Sequence, residues 1–216
     1  MTGMRTQNGD DLTAQAALVP CWSCHGPVVA DALFCATCKA VQPPGQADHF
    51  TRFGLDRDFR LDGEALDRRY FQLQRQLHPD RFATRGQRER LLSQQQAITL
   101  NDAYETLKDP LRRADYLVHL LGAGVLPQGC DAVNDPVILM EAMELREALH
   151  EAEMSHEVER IARRTLADID DCVDELADTF DKGDLPVACR LTTRLKYLMK
   201  LKDEVRMRRA QIADNH

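Results

Sequence analysis

Apolar residues recur at helical spacing between residues 62 and 122. The first stripe, whose members lie three or four positions apart, consists of Leu66, Tyr70, Leu73 and Leu77. Such spacing is typical of an amphipathic helix. Because proline disfavours helix in the residue before it, Pro79 predicts a turn directly after this helix. A second long helix is predicted over about 87–107, and a third over 110–122.

The same periodicity continues to the end of the chain and predicts three more helices. Their apolar stripes are Ile138, Ala142, Leu145, Leu149 and Ala152 in the first, Val158, Ala162, Ile169, Val173, Leu176 and Phe180 in the second, and Leu191, Leu195, Leu198 and Val205 in the third. Lys182 and Gly183 are predicted to end the second of these helices, and Asp184 to cap the third. Amphipathic helices joined by short turns bury their stripes against one another, so a three-helix bundle is expected.

Strand patterns are almost absent, and the predicted fold class is all-α. One short hairpin is predicted around 28–34. Proline and glycine interrupt the chain at 42–46 and again within 122–136, which places domain boundaries there. The predicted domains are a flexible N-terminus (1–20), a four-cysteine segment with a linker (21–46), a helical-hairpin domain (47–121), a second linker (122–135) and the C-terminal bundle (136–216).

The charge of the chain is unevenly distributed. The formal net charge is −7, with 4 basic against 16 acidic residues in 122–181 and 9 basic against 4 acidic residues in 182–216. Because a phosphate-binding surface needs a basic excess, nucleic acid is not expected as a partner. No apolar run approaches the roughly 20 residues that span a bilayer, so no membrane partner is expected either. Residues 1–20 match no targeting signal, which favours a cytoplasmic protein.

His78-Pro79-Asp80 fills the predicted turn between the first two helices. A proline-set turn can hold the Asp80 carboxylate outward, where an arginine of a partner can bind both oxygens. Seven arginines around the turn would steer it toward an acidic surface: Arg68, Arg69, Arg75, Arg81, Arg85, Arg88 and Arg90. Alternatively, Pro79 only ends one helix while Asp80 caps the next. An enzymatic acid–base pair is disfavoured because no nucleophile, glycine-rich phosphate loop or second carboxylate is nearby.

Three stretches carry a resemblance to a known family: 73–83 (LQRQLHPDRFA), 101–110 (NDAYETLKDP) and 139–147 (LMEAMELRE). Residues 47–121 resemble a J domain, and the similarity to the HscB family, the J-domain co-chaperones of iron–sulfur cluster assembly, covers most of 47–210. The resemblance implies a partner chaperone of the HscA/DnaK class, whose ATPase the loop stimulates. The chain itself is then expected to be no enzyme. The implied chaperone contacts are His78, Pro79, Asp80, Arg75 and Arg81.

The first C-terminal helix has a second apolar strip outside its core stripe. This strip is rimmed with acid and consists of Leu139, Met140, Met143, Glu144 and Glu147. Methionine suits adaptable binding surfaces, although these side chains can also wrap the edge of the bundle or pack on the preceding domain. The resemblance implies that the strip, with Tyr197 on the last helix, binds the scaffold protein IscU. Family members usually have leucine at position 143 and can have phenylalanine at 197.

The seven cysteines divide into a cluster of four and three scattered residues. The cluster, Cys21-x2-Cys24 and Cys35-x2-Cys38, can supply four thiolates to a structural Zn²⁺ ion. A redox dithiol, a rubredoxin-like iron site and unliganded thiols are the alternatives. An odd count disfavours a disulfide framework, and the scattered residues are expected to be small core or surface residues rather than reactive thiols. These are Cys130, Cys172 and Cys189.

The four-cysteine segment is similar to the N-terminal extension of mitochondrial HscB relatives. Its role stays open between stabilisation, formation of a homodimer and an extra partner contact. We favour the bacterial cytoplasm as the location, with the mitochondrial matrix second. The favoured function is an adaptor that brings an IscU-like scaffold to the chaperone. The alternatives are a general J-domain protein that holds unfolded clients and a zinc-dependent nucleic-acid module, against which the acidic segment counts.

Overall fold

The computed structural model describes residues 17–122, 130 and 135–214. This part of the chain contains two short strands, a 3₁₀ helix and seven α-helices, which confirms the all-α prediction. The strands are β1 (Leu18–Pro20) and β2 (Pro27–Val29), the 3₁₀ helix is Pro79–Phe82, and the helices are α1 (His49–Phe53), α2 (Gly63–Leu77), α3 (Gln87–Lys108), α4 (Pro110–Gly122), α5 (Pro136–Glu151), α6 (Ser155–Asp181) and α7 (Leu185–Asp214).

These elements form two compact units. The first contains the described residues up to Ala47 together with Gln76–Thr99, and the second contains Asp48–Arg75 and the described residues from Leu100 onward. The predicted flexible N-terminus falls mainly on residues that the structure does not describe, and so does most of the linker predicted at 122–135. The five-segment division therefore stays a prediction.

The hairpin of the first unit pairs β1 with β2 in antiparallel register. Leu18 pairs with Val29, Val19 with Val28, and Pro20 with Pro27. The hairpin predicted around 28–34 is therefore wrong, because Val28 and Val29 form the second strand of a hairpin rather than its first. The turn between the strands is the first cysteine pair, where the Cys21 N–H donates to the Gly26 carbonyl at 2.8 Å. The apolar pattern of three-residue strands is too short to reveal this pairing.

In the second unit, α2 and the end of α3 form the predicted helical hairpin. The rings of Tyr70 and Tyr104 stack with their centroids 4.0 Å apart. One turn further along α3, the Lys108 ammonium binds the Asp67 carboxylate at 2.6 Å. The start of α2 thus faces the end of α3, as an antiparallel pair requires. The ion pair with Lys108 lowers the pKa of Asp67.

The C-terminal bundle is built on α7, against which α4, α5 and α6 all pack. The turn between α6 and α7 agrees with the prediction. Gly183 has a left-handed φ of 69°, which favours glycine, and the Asp184 carboxylate accepts from the Val187 N–H at 3.2 Å. The buried core of the bundle includes Ile138, Leu145, Leu149, Val158, Ala162, Ile169, Leu176, Leu195, Leu198, Leu201 and Val205.

The core stripe predicted for α6 is wrong at two positions. Val173 and Phe180 are only half-buried, while Cys172 and Thr179 are buried. The other four predicted positions, Val158, Ala162, Ile169 and Leu176, are buried, so the prediction departs from the structure only at these two turns, where the preceding residue faces the core. Phe180 instead stacks on Phe59, which lies between α1 and α2, with ring centroids 5.4 Å apart.

Two of the scattered cysteines form a disulfide bond, which corrects the expectation that the chain has no disulfides. Cys130 is bonded to Cys189 of α7, with a Cα–Cα distance of 5.0 Å and a sequence separation of 59. Cys172 is a buried free thiol, as expected for a core position. Burial in the bundle raises its pKa to about 11. An odd number of cysteines therefore does not exclude a disulfide bond, because one bond can form while the remaining thiols stay free.

Candidate functional site

The His78-Pro79-Asp80 turn presents its carboxylate to solvent. His78 caps the 3₁₀ helix, and its Nδ1 accepts from the Asp80 N–H at 3.3 Å. The Asp80 side chain is 90% exposed. Arg75 in the last turn of α2 and Arg81 in the 3₁₀ helix are exposed as well, and Pro79 is half-buried. All five predicted chaperone contacts are therefore at least partly exposed to solvent.

The base of the turn is held by a buried hydroxyl. Leu77 is the last residue of α2, and its carbonyl accepts from the Ser93 Oγ of α3 at 2.8 Å. Ser93 is fully buried. Because a helix leaves its last carbonyls without intrahelical partners, this bond satisfies one of them directly before His78. Sequence reasoning missed Ser93, since a serine within a helix gives no sign of a long-range partner.

The acid-rimmed strip of α5 is largely exposed. Met140 and Met143 are 61% and 69% exposed, and Leu139 is half-buried. Glu144 and Glu147 are both exposed. The structure adds one apolar residue that the sequence interpretation overlooked: Val137, in the first turn of α5, is 65% exposed.

The helix that carries the strip is fixed to α7 by ion pairs. The Arg194 guanidinium binds the Glu141 carboxylate through Nε at 3.0 Å and Nη2 at 2.8 Å. This ion pair lowers the pKa of Glu141 and raises that of Arg194. Tyr197, half-buried on α7, lines a small cavity together with Ala142 of α5. The predicted aromatic residue therefore borders the helix that carries the strip.

The four clustered cysteines bring their sulfur atoms together. The Sγ atoms of Cys21 and Cys38 are 3.7 Å apart, as are those of Cys24 and Cys35, and all four lie within 4.8 Å of one another. Tetrahedral coordination at the Zn–S distance of about 2.3 Å separates two sulfurs by about 3.8 Å. The donor set and its spacing therefore fit one tetrahedral metal ion with no open position.

The two cysteine pairs have the same backbone conformation. In the first turn the His25 N–H donates to the Cys21 carbonyl at 2.9 Å, and in the second the Lys39 N–H donates to the Cys35 carbonyl at 3.0 Å. His25 and Lys39 both adopt left-handed φ angles, 62° and 61°. Non-glycine residues disfavour this region, so each turn is held in a strained conformation that aims both of its thiols at one point.

Backbone N–H groups in these turns stabilise thiolate. The N–H groups of Cys24 and Ser23 lower the pKa of Cys21 to about 6, and the Cys38 N–H lowers the pKa of Cys35. The Gly26 N–H acts in the same direction on Cys24, but the surrounding thiols and burial outweigh it and raise that pKa to about 11. Thiolate is the form that binds a metal ion.

Comparison with known proteins decides the family. Residues 134–206 match the family model described as the HSCB C-terminal oligomerisation domain. The mouse iron–sulfur cluster co-chaperone protein HscB is 34% identical over 204 residues, covering 92% of this chain and 87% of its own. The Vibrio vulnificus co-chaperone protein HscB homologue is 37% identical over 171 residues, covering 74% and 95%. The chain belongs to the HscB family.

The HscB fold is also found in the solved structures. The crystal structure of human co-chaperone protein HscB superposes with a TM-score of 0.80 at 34% identity, covering 88% of this chain and 98% of the human one. An alignment that left out residues 1–46 would cover less of this chain than the match to the mouse protein does. That match therefore includes part of the four-cysteine extension. Among the described helices, none combines the length and apolarity needed to cross a membrane.

Proposed function

We propose that this HscB-family chain stimulates ATP hydrolysis by a chaperone of the HscA/DnaK class through its His78-Pro79-Asp80 turn. The observation that carries the proposal is the exposed Asp80 carboxylate on a turn fixed by His78 and by the bond to the Leu77 carbonyl. A preorganised carboxylate can accept two hydrogen bonds from a partner arginine at little cost in conformational entropy. Arg75 and Arg81 would add electrostatic steering toward an acidic chaperone surface. Catalysis would then take place entirely in the chaperone.

The second half of the proposal is that α5 and Tyr197 deliver an IscU-like scaffold. Exposed methionines at the centre of a strip, with acidic residues at its rim, match the usual anatomy of a protein interface. The ion pair between Glu141 and Arg194 joins α5, which carries this surface, to α7 before binding. The proposed contacts are Leu139, Met140, Met143, Glu144, Glu147 and Tyr197.

We assign zinc as the metal of the four-cysteine cluster. A closed set of four thiolates at tetrahedral spacing is typical of structural zinc sites, whereas catalytic sites keep a position open. When bound, the ion would hold the two strained turns together and supply folding energy to a segment too short to bury a core. Iron is the competing ion, and metal analysis with an absorption spectrum separates the two.

Replacing Asp80 by asparagine tests the chaperone contact. We expect Asp80→Asn to abolish stimulation of the chaperone's ATPase while the affinity for the scaffold, measured by calorimetry, stays the same. Asp56→Asn is the matched control, because Asp56 is an exposed acid outside the turn. Full stimulation by Asp80→Asn would show that the turn is not the chaperone contact.

A second candidate function is a general J-domain protein that holds unfolded clients. The exposed Met140 and Met143 favour it as well, because methionine adapts to varied apolar partners. Binding to a folded IscU-like scaffold, but not to denatured proteins, would support the adaptor. The opposite result would support the general client binder.

Location and self-association stay proposals. We propose the bacterial cytoplasm, with the mitochondrial matrix second; HscB relatives come from both Vibrio and mouse. The family model is described as an oligomerisation domain, so a homodimer is tested by measuring the mass of the intact protein in solution.

A further inference from the structure

We propose that a chain of buried polar groups connects the metal site to the chaperone-contact turn, with Gln96 and Ser93 as its positioning residues. This inference rests on the proposed function of the turn. It assigns a role to the four-cysteine extension, namely to fix the geometry of His78-Pro79-Asp80 in response to metal binding. All of the residues involved belong to the first compact unit.

The first link joins the sulfur cluster to Gln42. The Gln42 side-chain amide donates from Nε2 to the Cys21 Sγ at 3.4 Å and to the Ala40 carbonyl at 2.9 Å. Gln42 is only 3% exposed. An N–H group directed at a thiolate sulfur stabilises the charged, metal-binding form and orients the ligand. The position of Gln42 thus depends on where the sulfur of Cys21 is held.

The second link joins Gln42 to helix α3. The Gln96 side-chain amide donates from Nε2 to the Gln42 main-chain carbonyl at 2.9 Å. Gln96 is 1% exposed, although it lies in the middle of a helix and is polar. Breaking a hydrogen bond of a buried amide is costly, because no water replaces the lost acceptor, so this bond is selective for one placement of the loop.

A second contact between the extension and α3 lies at the start of the helix. The Arg88 guanidinium lies over the Trp22 ring, 4.6 Å from its centroid. The Trp22 indole N–H in turn donates to the Val41 carbonyl at 2.7 Å. Trp22 lies between two of the predicted metal ligands, Cys21 and Cys24. The extension therefore holds α3 at two places, near its first turn and at Gln96.

The third link joins α3 to the turn. Ser93 lies three residues before Gln96, and therefore on the same face of the helix. Its fully buried hydroxyl donates to the Leu77 carbonyl, which directly precedes His78. The sequence of contacts is thus continuous from the Cys21 sulfur, through Gln42, Gln96 and Ser93, to the carbonyl at the base of the turn.

Metal binding would act through this network on the dynamics of the turn. Without the ion the strained cysteine turns lose their common ligand, and the Gln42 carbonyl loses its fixed position. The hydrogen bond from Gln96 to that carbonyl is then lost or distorted, and α3 repacks or opens locally. We expect the turn to sample several conformations instead of one. This weakens binding to the chaperone but not binding to the scaffold.

The test uses the full chain with zinc bound and after removal of zinc by a chelator. The first readout is hydrogen exchange of the amides in 77–82, with α6 as an internal reference. The second is the concentration of protein that gives half-maximal stimulation of a DnaK-class ATPase. On removal of zinc we expect at least about fivefold faster exchange in 77–82 and an increase of about five- to tenfold in the half-maximal concentration.

Gln96→Leu tests the network with the metal still bound. Leucine keeps the volume of the side chain but cannot donate to Gln42. The variant should bind one zinc and the scaffold normally, yet show the higher half-maximal concentration; chelation should then raise it by less than about twofold further. Gln94→Leu is the matched control, because Gln94 lies on the exposed side of the same helix.

The outcomes separate this inference from the function on which it rests. If zinc removal leaves both exchange in 77–82 and the half-maximal concentration unchanged, the network carries no coupling. Full additivity of zinc removal and Gln96→Leu likewise overturns it, since the two would then act independently. If the wild-type chain stimulates no chaperone, the proposed function fails, and the exchange measurement alone decides the network.

Discussion

Arg194 of α7 binds Glu141 of α5 through two nitrogens, and both side chains are mostly shielded from solvent. Their side-chain exposures are 24% and 29%. A half-buried ion pair with two hydrogen bonds contributes more to the free energy of unfolding than an exposed ion pair, because its geometry is fixed and salt screens it less. This pair therefore stabilises the helix that carries the proposed scaffold surface.

We predict that Glu141→Gln lowers the free energy of unfolding by about 1–2 kcal/mol at pH 7. The ion pair lowers the pKa of Glu141 in the folded state, so its stabilisation is complete above the unfolded value, about 4.3, and is lost as the pH falls through the folded value. The stabilities of variant and wild type should therefore begin to converge as the pH falls below the unfolded value of about 4.3. Urea denaturation at both pH values checks this. Glu151→Gln, an exposed acid of the same helix, should change stability by less than about 0.5 kcal/mol.

The four-cysteine cluster predicts one zinc ion per chain. Cys35→Ser should lose the ion and lower the melting temperature, because the two turns are no longer held at a common ligand. Cys172→Ala should keep the full metal content, since Cys172 lies in the bundle core. Metal analysis by mass spectrometry measures both. A wild-type protein with no bound metal after purification without chelator would contradict the assignment.

The exposed strip on α5 predicts a scaffold contact that can be removed without unfolding. Changing Leu139, Met140 and Met143 together to alanine should weaken scaffold binding at least about 100-fold, the range expected for a buried interface centre. Circular dichroism should show an unchanged helix content. The control is Met154→Ala with Met207→Ala, which removes two equally exposed methionines elsewhere in the bundle. Unchanged affinity by calorimetry in the triple variant would rule the strip out.

The disulfide between Cys130 and Cys189 can be counted chemically. Denatured, metal-free protein should take up five alkylating groups without reductant and seven after reduction, because one bond removes two of the seven thiols. Replacing both cysteines by serine should cost about 2–4 kcal/mol of stability in oxidised protein, since the bond closes a long loop. Seven labels before reduction would mean that the bond does not form in solution.

The sequence predicts those features that depend on neighbouring residues. The end of α2 before Pro79, the glycine after α6 and the cap at Asp184 all follow from local backbone chemistry, and the structure has each of them. The clustering of the four cysteines followed from their spacing for the same reason.

Features that depend on distant partners could not be predicted. Gln42 falls in a stretch of proline and glycine that resembles a linker, yet it is buried because Gln96, 54 residues away, binds its carbonyl. Cys130 and Cys189 are 59 residues apart, and no spacing rule pairs them. Cys172 and Thr179 replace Val173 and Phe180 in the core face of α6, because packing on α7 also decides which side chains of the helix are buried.

The disulfide also has a mechanical consequence. Its covalent loop, which closes a sequence separation of 59, contains the whole of α5 and α6. At about 3.5 Å per extended residue, some 200 Å of contour length cannot be drawn out when the chain is pulled by its ends. An enzyme that pulls an unfolded chain through a narrow pore would therefore have to pass two segments of the chain side by side at the disulfide. Whether α5 and α6 can be extended as a single chain or stay within a closed loop therefore depends on the reduction of this one disulfide bond.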